Sequence, residues 1–152
     1  MTLNRATKVI MLISIALFLI ALSQPCFDTE KEAGGDGEGF ALLLSGFFGF
    51  FSSTTGLTWL ANPALWLSWI FVAKKPKLSL TASFISVLIG LLFMCCTDMI
   101  IDESGSNRSA IVGYRTGYWL WLASMFIMLI GNLYLKFAPL SNPIIERPGR
   151  FG

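Results

Sequence analysis

Four long stretches of this chain contain no charged residue, and they constrain its fold more than any other feature. Each reaches the roughly 20 residues that a helix needs to cross a hydrocarbon layer of about 30 Å. The chain is 55% hydrophobic and 13% charged, whereas a soluble domain is about 45–50% apolar and 25% charged. Because a backbone in lipid must satisfy its own hydrogen bonds, such stretches form helices. The sequence therefore predicts a single-domain, all-α integral membrane bundle with four transmembrane helices, built on residues 9–27, 40–73, 78–97 and 116–135.

The second stretch predicts an additional helix. As one helix, residues 40–73 would be about 51 Å long, too long for one crossing and too short for two crossings with a turn. Counting about 20 residues back from Lys74 places the outer end of the crossing near Thr54. The remaining apolar segment lies on the outer side, as an interfacial or a re-entrant helix. The predicted crossings are about 8–27, 54–73, 78–97 and 116–136, with the extra helix at 40–53.

The distribution of charge predicts the orientation. Three segments hold eight of the eleven basic residues, namely Arg5, Lys8, Lys74, Lys75, Lys77, Lys136, Arg147 and Arg150. The other two connections hold eight of the nine acids: Asp28, Glu30, Glu32, Asp36, Glu38, Asp98, Asp102 and Glu103. The positive-inside rule then places both termini in the cytoplasm of a multi-pass protein. The first stretch also has features of a cleaved signal peptide, with small residues at 21–23.

Small residues recur at helical spacing in the apolar stretches. Such residues let helix backbones approach closely in lipid. We expect them to pack the bundle internally, and a face for a partner's helix is the alternative. The sets are Thr7, Ser14 and Ala21; Ser45, Gly49, Ser52 and Gly56; Ser79, Ser83, Ser86 and Gly90; and Gly117, Ser124, Gly131 and Ala138.

Aromatic residues gather where the last helix meets the outer surface. Tyrosine and tryptophan favour that depth because their rings are apolar and their tips are polar. Arg115 lies among them and is expected to pair with Asp98, Asp102 or Glu103, or to stack on a ring. An anionic lipid or a partner's acidic group is the alternative ligand. Embedded asparagines suit hydrogen bonds between helices. The candidate interaction residues are Tyr114, Arg115, Tyr118, Trp119, Trp121 and Asn62.

The cysteines lie at outer helix ends. Cys26 follows the first helix, and Cys95 and Cys96 come near the end of the third. Redox enzymes of the membrane need a Cys-x-x-Cys pair, which this sequence lacks. We expect Cys26 to form a structural disulfide with Cys95 or Cys96, with Cys96 the freer of the two because it adjoins the loop.

The sequence carries no pattern of catalytic chemistry. Histidine, the commonest general base and metal ligand, is missing. No acid lies in the apolar stretches, so a proton relay or cation site of the usual kind is not predicted. We therefore predict a non-enzymatic protein with no catalytic residues, no cofactor, no metal and no nucleic-acid partner.

The stretch that opens the last helix carries a resemblance. The chain resembles small uncharacterised bacterial inner-membrane proteins in which a similar signature recurs. The resemblance covers roughly residues 26–135 and implies a shared four-helix fold in a bacterial inner membrane, but no activity. The signature residues are Tyr114, Gly117, Tyr118, Trp119, Leu120, Trp121, Leu122, Ala123 and Ser124.

Three functional classes remain open at this stage. The first is an accessory or assembly subunit of a membrane complex, which contacts lipid and either a protein partner or further copies of itself. The second is an immunity-type protein against a pore-forming or envelope-targeting toxin, an analogy of architecture alone. The third is a small-molecule transporter, which the lack of intramembrane charge and of an inverted repeat disfavours.

Overall fold

The computed structural model describes residues 5–30, 38–49, 54–100 and 108–137, and most of them are helical. The helices are α1 (Arg5–Leu22), α2 (Gly39–Gly49), α3 (Thr54–Leu57), α4 (Ala61–Phe71), α5 (Pro76–Leu92) and α6 (Thr116–Phe137). Short 3-10 turns join α3 to α4 (Thr58–Leu60) and extend α5 (Phe93–Cys95). The strands are β1 (Phe27–Thr29), β2 (Asp98–Ile100) and β3 (Arg108–Tyr114).

Three helical segments are long and apolar enough to cross a membrane. They are Arg5–Leu22, with 18 residues, Pro76–Cys95, with 20, and Thr116–Phe137, with 22. Large apolar side chains lie exposed on their surfaces, among them Leu12, Leu19, Phe84 and Ile130. Water would disfavour so much exposed apolar surface, whereas lipid tails accept it. The structure is therefore mostly helical, as expected, and three of its helical segments could span a membrane.

Contacts between the helices show that neighbours in the bundle run antiparallel. In α1 and α6, Ser14 donates to the carbonyl of Ser124, and Ile10 lies against Gly131. In α4 and α5, Ser68 bonds to Ser79 and Ser86 bonds to the carbonyl of Ala61. In α5 and α6, Ser79 bonds to Asn132 and Tyr118 bonds to the carbonyl of Gly90, so these two helices are also antiparallel. The helices α1 and α5 therefore point one way, and α4 and α6 point the other way.

A small antiparallel sheet caps the end of the bundle where α1 and α5 end and α6 begins. Its strand order is β1-β3-β2. Phe27 pairs with Tyr114, and Asp98 pairs with Ala110. This sheet departs from the predicted all-α fold. Two of its strands have three residues each, too few for the alternation that marks a strand in a sequence.

Helix α1 is shorter than predicted because the chain leaves the helix to enter the cap. Helix α1 was expected to reach residue 27, but it ends at Leu22. Pro25 forms an isolated bridge with Glu38, and Phe27 enters β1. Proline has no backbone N–H to donate, so it suits this departure from the helix. The acidic connection that follows falls largely on residues 31–37, which lie outside the described residues.

The extra apolar helix predicted in the second stretch is present as α2. Its first residue, Gly39, lies against the backbone of Ala21 and Leu22 at the end of α1. Farther along, the Trp59 indole N–H donates to the carbonyl of Leu43 at 2.8 Å. Since both contacts are made at the capped end of the bundle, α2 stays at that end. Residues 50–53, the rest of the predicted segment, lie outside the described residues.

Candidate functional site

The aromatic residues predicted as interaction candidates pack around the junction of the sheet with α5 and α6. Tyr118 is buried and its hydroxyl donates to the carbonyl of Gly90 at 3.0 Å. The Tyr114 hydroxyl donates to the carbonyl of Phe93 at 3.3 Å. The rings of Tyr114 and Tyr118 lie 4.7 Å apart, between centroids. These two tyrosines therefore bind the cap to the end of α5, and the buried Tyr118 has no surface left for a partner.

Burial also affects the chemistry of Tyr114. It raises the pKa of the Tyr114 phenol above its usual value, and the nearby Cys96 and Cys95 thiols raise it further. The hydroxyl thus stays protonated and keeps its hydrogen bond to Phe93 at neutral pH. This is the behaviour of a structural contact, since a general base would need a lowered pKa.

Trp119 is the most exposed of the predicted candidates in α6. Half of its surface is accessible, and its ring makes an edge contact with Tyr118. Trp121, two residues later, is only partly exposed, and its indole N–H donates to the Asn62 side-chain oxygen at 2.8 Å. Of this pair, only Trp119 presents a large face outward.

Arg115 pairs with a different acid from those predicted. Its Nε donates to both carboxylate oxygens of Asp28, at 2.9 and 2.7 Å. Strand β1 pairs with β3, and the backbone N–H of Arg115 donates to the Cys26 carbonyl, so Asp28 is placed beside the guanidinium. The hydrogen bond and the negative charge of Asp28 raise the pKa of Arg115. Asp28 was not among the acids expected to pair with Arg115, and the side chains of Asp98, Asp102 and Glu103 lie outside what the structure describes.

Asn62 acts as a link between helices inside the bundle. Besides accepting from Trp121, its amide donates to the carbonyl of Trp59 at 3.1 Å. Only 6% of Asn62 is exposed. Both ends of the amide are therefore used within the chain, as expected for an embedded asparagine that joins helices.

A second buried polar group joins α4, α5 and α6 nearer the other end of the bundle. The Asn132 amide donates to the hydroxyl oxygens of Ser68 (3.2 Å) and Ser83 (3.1 Å). The Ser79 hydroxyl lies 3.1 Å from the Asn132 side-chain oxygen and 3.0 Å from the Ser68 hydroxyl. We call Ser68, Ser79, Ser83 and Asn132 the serine–asparagine cluster. All four side chains are buried.

The sequence indicated only part of this cluster. Ser79 and Ser83 belong to the predicted small-residue set, and Asn132 was noted as an embedded polar residue. Ser68 carried no periodic signal. Its spacing of eleven residues from Ser79 across the Lys74–Lys75–Pro76 turn would have indicated the contact.

The predicted disulfide is not formed, and all three cysteines are free thiols. Cys26 donates to the carbonyl of Gln24 at 3.7 Å, and Cys96 donates to that of Leu92 at 3.9 Å. Each of these two thiols thus bonds to its own local backbone. Burial raises the pKa of Cys26 to about 11, so this thiol is a poor nucleophile at neutral pH.

The chemical capacity of these residues is limited by their pairing. Among the described residues, every buried side-chain nitrogen and oxygen has a hydrogen-bond partner. Within the same residues, no group of three or more cysteine and acidic side chains is arranged to hold a metal ion. No protein-family model, no curated protein and no solved structure matches this chain.

Proposed function

We propose that this chain is a four-crossing protein of a bacterial inner membrane and a non-enzymatic accessory or assembly subunit of a membrane complex. Besides the three long helical segments, we count residues 54–71 as a crossing, the second in chain order. It is formed by α3, the 3-10 turn and α4. At about 1.5 Å per residue this segment is about 27 Å long, close to the thickness of the hydrocarbon layer. Its antiparallel contacts with α5 support an up-down-up-down bundle.

The charges at the two ends of the bundle support an orientation with both termini in the cytoplasm. The described acids Asp28, Glu30 and Glu38 lie at the capped end, whereas Lys74, Lys75 and Lys77 lie in and beside the turn at the opposite end. Positive residues are retained on the cytoplasmic side. The cap and α2 are therefore outside in this proposal.

The exposed face of α2 is the observation that carries the proposed role. Four large apolar side chains lie exposed along it: Phe40, Leu44, Phe47 and Phe48, the last being 81% accessible. The opposite face, with Leu42 and Leu43, packs on the core. A helix that is apolar all round belongs in a core or in lipid. We therefore place α2 in the outer leaflet, where its phenylalanine face meets a partner's helix.

The small-residue faces of the other helices are already used for packing within the bundle. This leaves α2 as the helix available to a partner. Ser14 and Ala21 of α1 are buried, as are Gly117, Ser124 and Gly131 of α6. The expectation that these residues pack the bundle internally is met for α1, α5 and α6. In α2 the side chain of Ser45 is exposed, while Gly49 and Ser52 of the same set lie outside the side chains that the structure describes. A partner would thus be met on a face of large apolar residues.

Transport receives less support from this geometry. A substrate site in a membrane needs polar groups that can exchange partners, and the amides of Asn62 and Asn132 are both engaged. An immunity-type role would use the same outer contacts, so the identity of the partner decides between it and a subunit role.

The test places a photo-crosslinking amino acid at Phe48 in the full chain, with Leu19 as the matched control. Leu19 is also lipid-exposed, at 59%, but lies on α1. We expect one discrete product from position 48 and none from position 19. A larger membrane protein of fixed stoichiometry supports a subunit, a second copy of the chain supports a homo-oligomer, and a co-expressed toxin supports immunity. Equal, diffuse labelling at both positions would argue against contact through α2.

Reporter fusions test the orientation separately. A reporter after Arg150 is expected to be active in the cytoplasm, and one inserted at Gly35 is expected to report the outside. A cytoplasmic reporter at Gly35 would reverse or remove the proposed topology.

A further inference from the structure

Basic side chains gather at the uncapped end of the bundle. We call them the basic rim: Arg5, Lys8, Lys74, Lys75, Lys77 and Lys136, all of them exposed. They come from three separate parts of the sequence. The helix contacts described above determine which of them lie close together.

The contact between α5 and α6 brings two of these lysines to one level. The backbone N–H of Ser79 donates to the Lys75 carbonyl, so Lys75 lies one turn before Ser79. Lys136 lies one turn after Asn132, on the same side of α6. Because Ser79 and Asn132 are hydrogen-bonded, Lys75 and Lys136 lie over the same interface. Lys77 is the second residue of α5 and adds a further positive charge at the same end of the bundle.

The contact between α1 and α6 adds the basic residues of α1. Ile10 lies against Gly131, and the two helices run antiparallel. Moving five residues outward along each helix reaches Arg5 on α1 and Lys136 on α6. The positive charges thus surround the end of the bundle at a similar level.

No carboxylate of the described ranges 5–30, 38–49, 54–100 and 108–137 lies at this end. The acids within these ranges are Asp28, Glu30, Glu38 and Asp98, which belong to the strands of the cap or flank the cap and α2. Like charges gathered at one end of the bundle repel one another unless an anion compensates them. The rim therefore has the charge of an anion-binding surface.

The surroundings of the rim are apolar. The Lys75 ammonium lies 5.8 Å from the centre of the Phe71 ring, and the Lys136 ammonium lies 5.2 Å from that of Phe137. Such contacts hold a charge at the edge of an apolar surface. Phe137 and Leu78 are exposed beside them. The ligand that fits these surroundings has an anionic head group joined to hydrocarbon chains. A fully hydrated ion would not use the apolar surface.

We propose that the basic rim binds the head group of an anionic phospholipid of the inner leaflet. The phosphodiester lies between Lys75, Lys77 and Lys136, and the acyl chains cover the adjoining apolar side chains. This inference rests on the membrane insertion proposed above and goes beyond topology, because it assigns a lipid preference to one interface.

The experiment uses the full chain in a mild non-ionic detergent and native mass spectrometry. Phosphatidylglycerol is compared with phosphatidylcholine of the same acyl chains. We expect retention of phosphatidylglycerol at lower lipid concentration in the intact chain. In the K75Q/K77Q/K136Q variant, its apparent affinity is expected to fall by about fivefold for each charge removed. Binding of phosphatidylcholine should not change.

Two control variants separate charge from folding and from location. K75R/K77R/K136R keeps the charges and should retain phosphatidylglycerol. R115Q removes a positive charge at the capped end and should leave the lipid preference unaltered. The single variant K136Q provides the same comparison with a smaller effect if the triple glutamine variant unfolds.

Three outcomes would overturn the inference. One is equal retention of the two lipids by the intact chain, and another is unchanged phosphatidylglycerol binding in both glutamine variants. The third is displacement of the lipid by millimolar inorganic phosphate, which would make the rim a site for free anions. Alkaline carbonate extraction of native membranes tests insertion independently, so failure of the membrane proposal is distinguishable from failure of the lipid site.

Discussion

Two interfaces of this bundle use small residues in different ways. Where α1 meets α6, the small residues permit close approach, because a Cβ atom on Gly117 or Gly131 would collide with the facing chain. Where α4, α5 and α6 meet, the serines instead donate and accept hydrogen bonds around Asn132. Both patterns are a series of small residues in the sequence. The comparison teaches that such a series predicts proximity of helices and leaves open whether shape or polarity holds them.

The steric interface should be the more sensitive to substitution. A Cβ atom on Gly117 would lie 2.7 Å from the Gln24 carbonyl oxygen and 2.8 Å from that of Pro25, and backbone atoms yield little. We expect G117A to lower the free energy of unfolding by about 3 kcal/mol, at the upper end of overpacking costs. Unfolding in mixed detergent micelles measures this change.

Matched variants on the same helices make that measurement specific. G131A should also be destabilising, since its Cβ atom would meet the Ile10 side chain at its β-branch, which rotates little in a helix. A16L, on the exposed face of α1, should be nearly neutral. If G117A and A16L were equally tolerated, close packing would not hold this interface.

The polar interface should show a smaller loss. Replacing Asn132 by leucine removes bonds to Ser68, Ser79 and Ser83. Interhelical hydrogen bonds in membranes are modest, so we expect a loss of about 1.5 kcal/mol. A double-mutant cycle of N132L with S79A should give a measurable coupling energy. The same cycle with T81A should give none, because the Thr81 hydroxyl bonds to its own helix. Equal coupling in both cycles would remove the distinction between the two interfaces.

Ser14 is a polar contact within the steric interface, so replacing it tests how sharply the two interfaces differ. It lies in the steric interface, yet its hydroxyl donates to the Ser124 carbonyl at 2.8 Å and accepts from the Trp69 indole N–H at 3.0 Å. We expect S14A to cost about 0.6 kcal/mol, the average for such bonds. The cost should decrease in a W69F background, where no indole N–H is left unpaired. An unchanged cost there would assign the effect to packing alone.

The sequence predicted the helix faces better than it predicted the polar contacts. The positions Thr7, Ser14 and Ala21 repeat every seven residues, and all three are buried in the structure. Periodicity suffices here because each helix turns its own face to a neighbour. Ser68 has no such pattern, since its partners are determined by which helices pack together. A single serine indicates a partner on another helix only where a short turn joins the two helices, as between Ser68 and Ser79.

The cap could not be predicted for a related reason. Strands β1 and β2 are short and come from distant parts of the chain, and both pair with β3. The pairing places Asp28 beside Arg115, although 87 residues separate them. Acids nearer in the sequence were the expected partners because proximity along the chain was the only criterion. Long-range pairing is decided by the whole fold, which also determined that the thiols remain unbridged.

The last prediction concerns reactivity rather than stability, and it tests how closed the capped end of the steric interface is. Cys26 lies against Gly117, and burial raises its thiol pKa from 9.0 to about 11. A thiol reacts as the thiolate, so the raised pKa keeps Cys26 neutral until the pH approaches that value. At pH 8 its thiolate fraction is about a hundredfold lower than for an unshifted thiol.

We expect maleimide to modify the exposed Cys95 first and Cys26 last, with the Cys26 rate rising steeply between pH 8 and about 11. Mass spectrometry of digested samples follows each site, and the same reaction in denaturant is the control that should remove the difference. Fast labelling of Cys26 in the folded chain would show an open α1–α6 junction, and a Cys26 that resists maleimide until a reductant is added would show the bridge that the structure lacks.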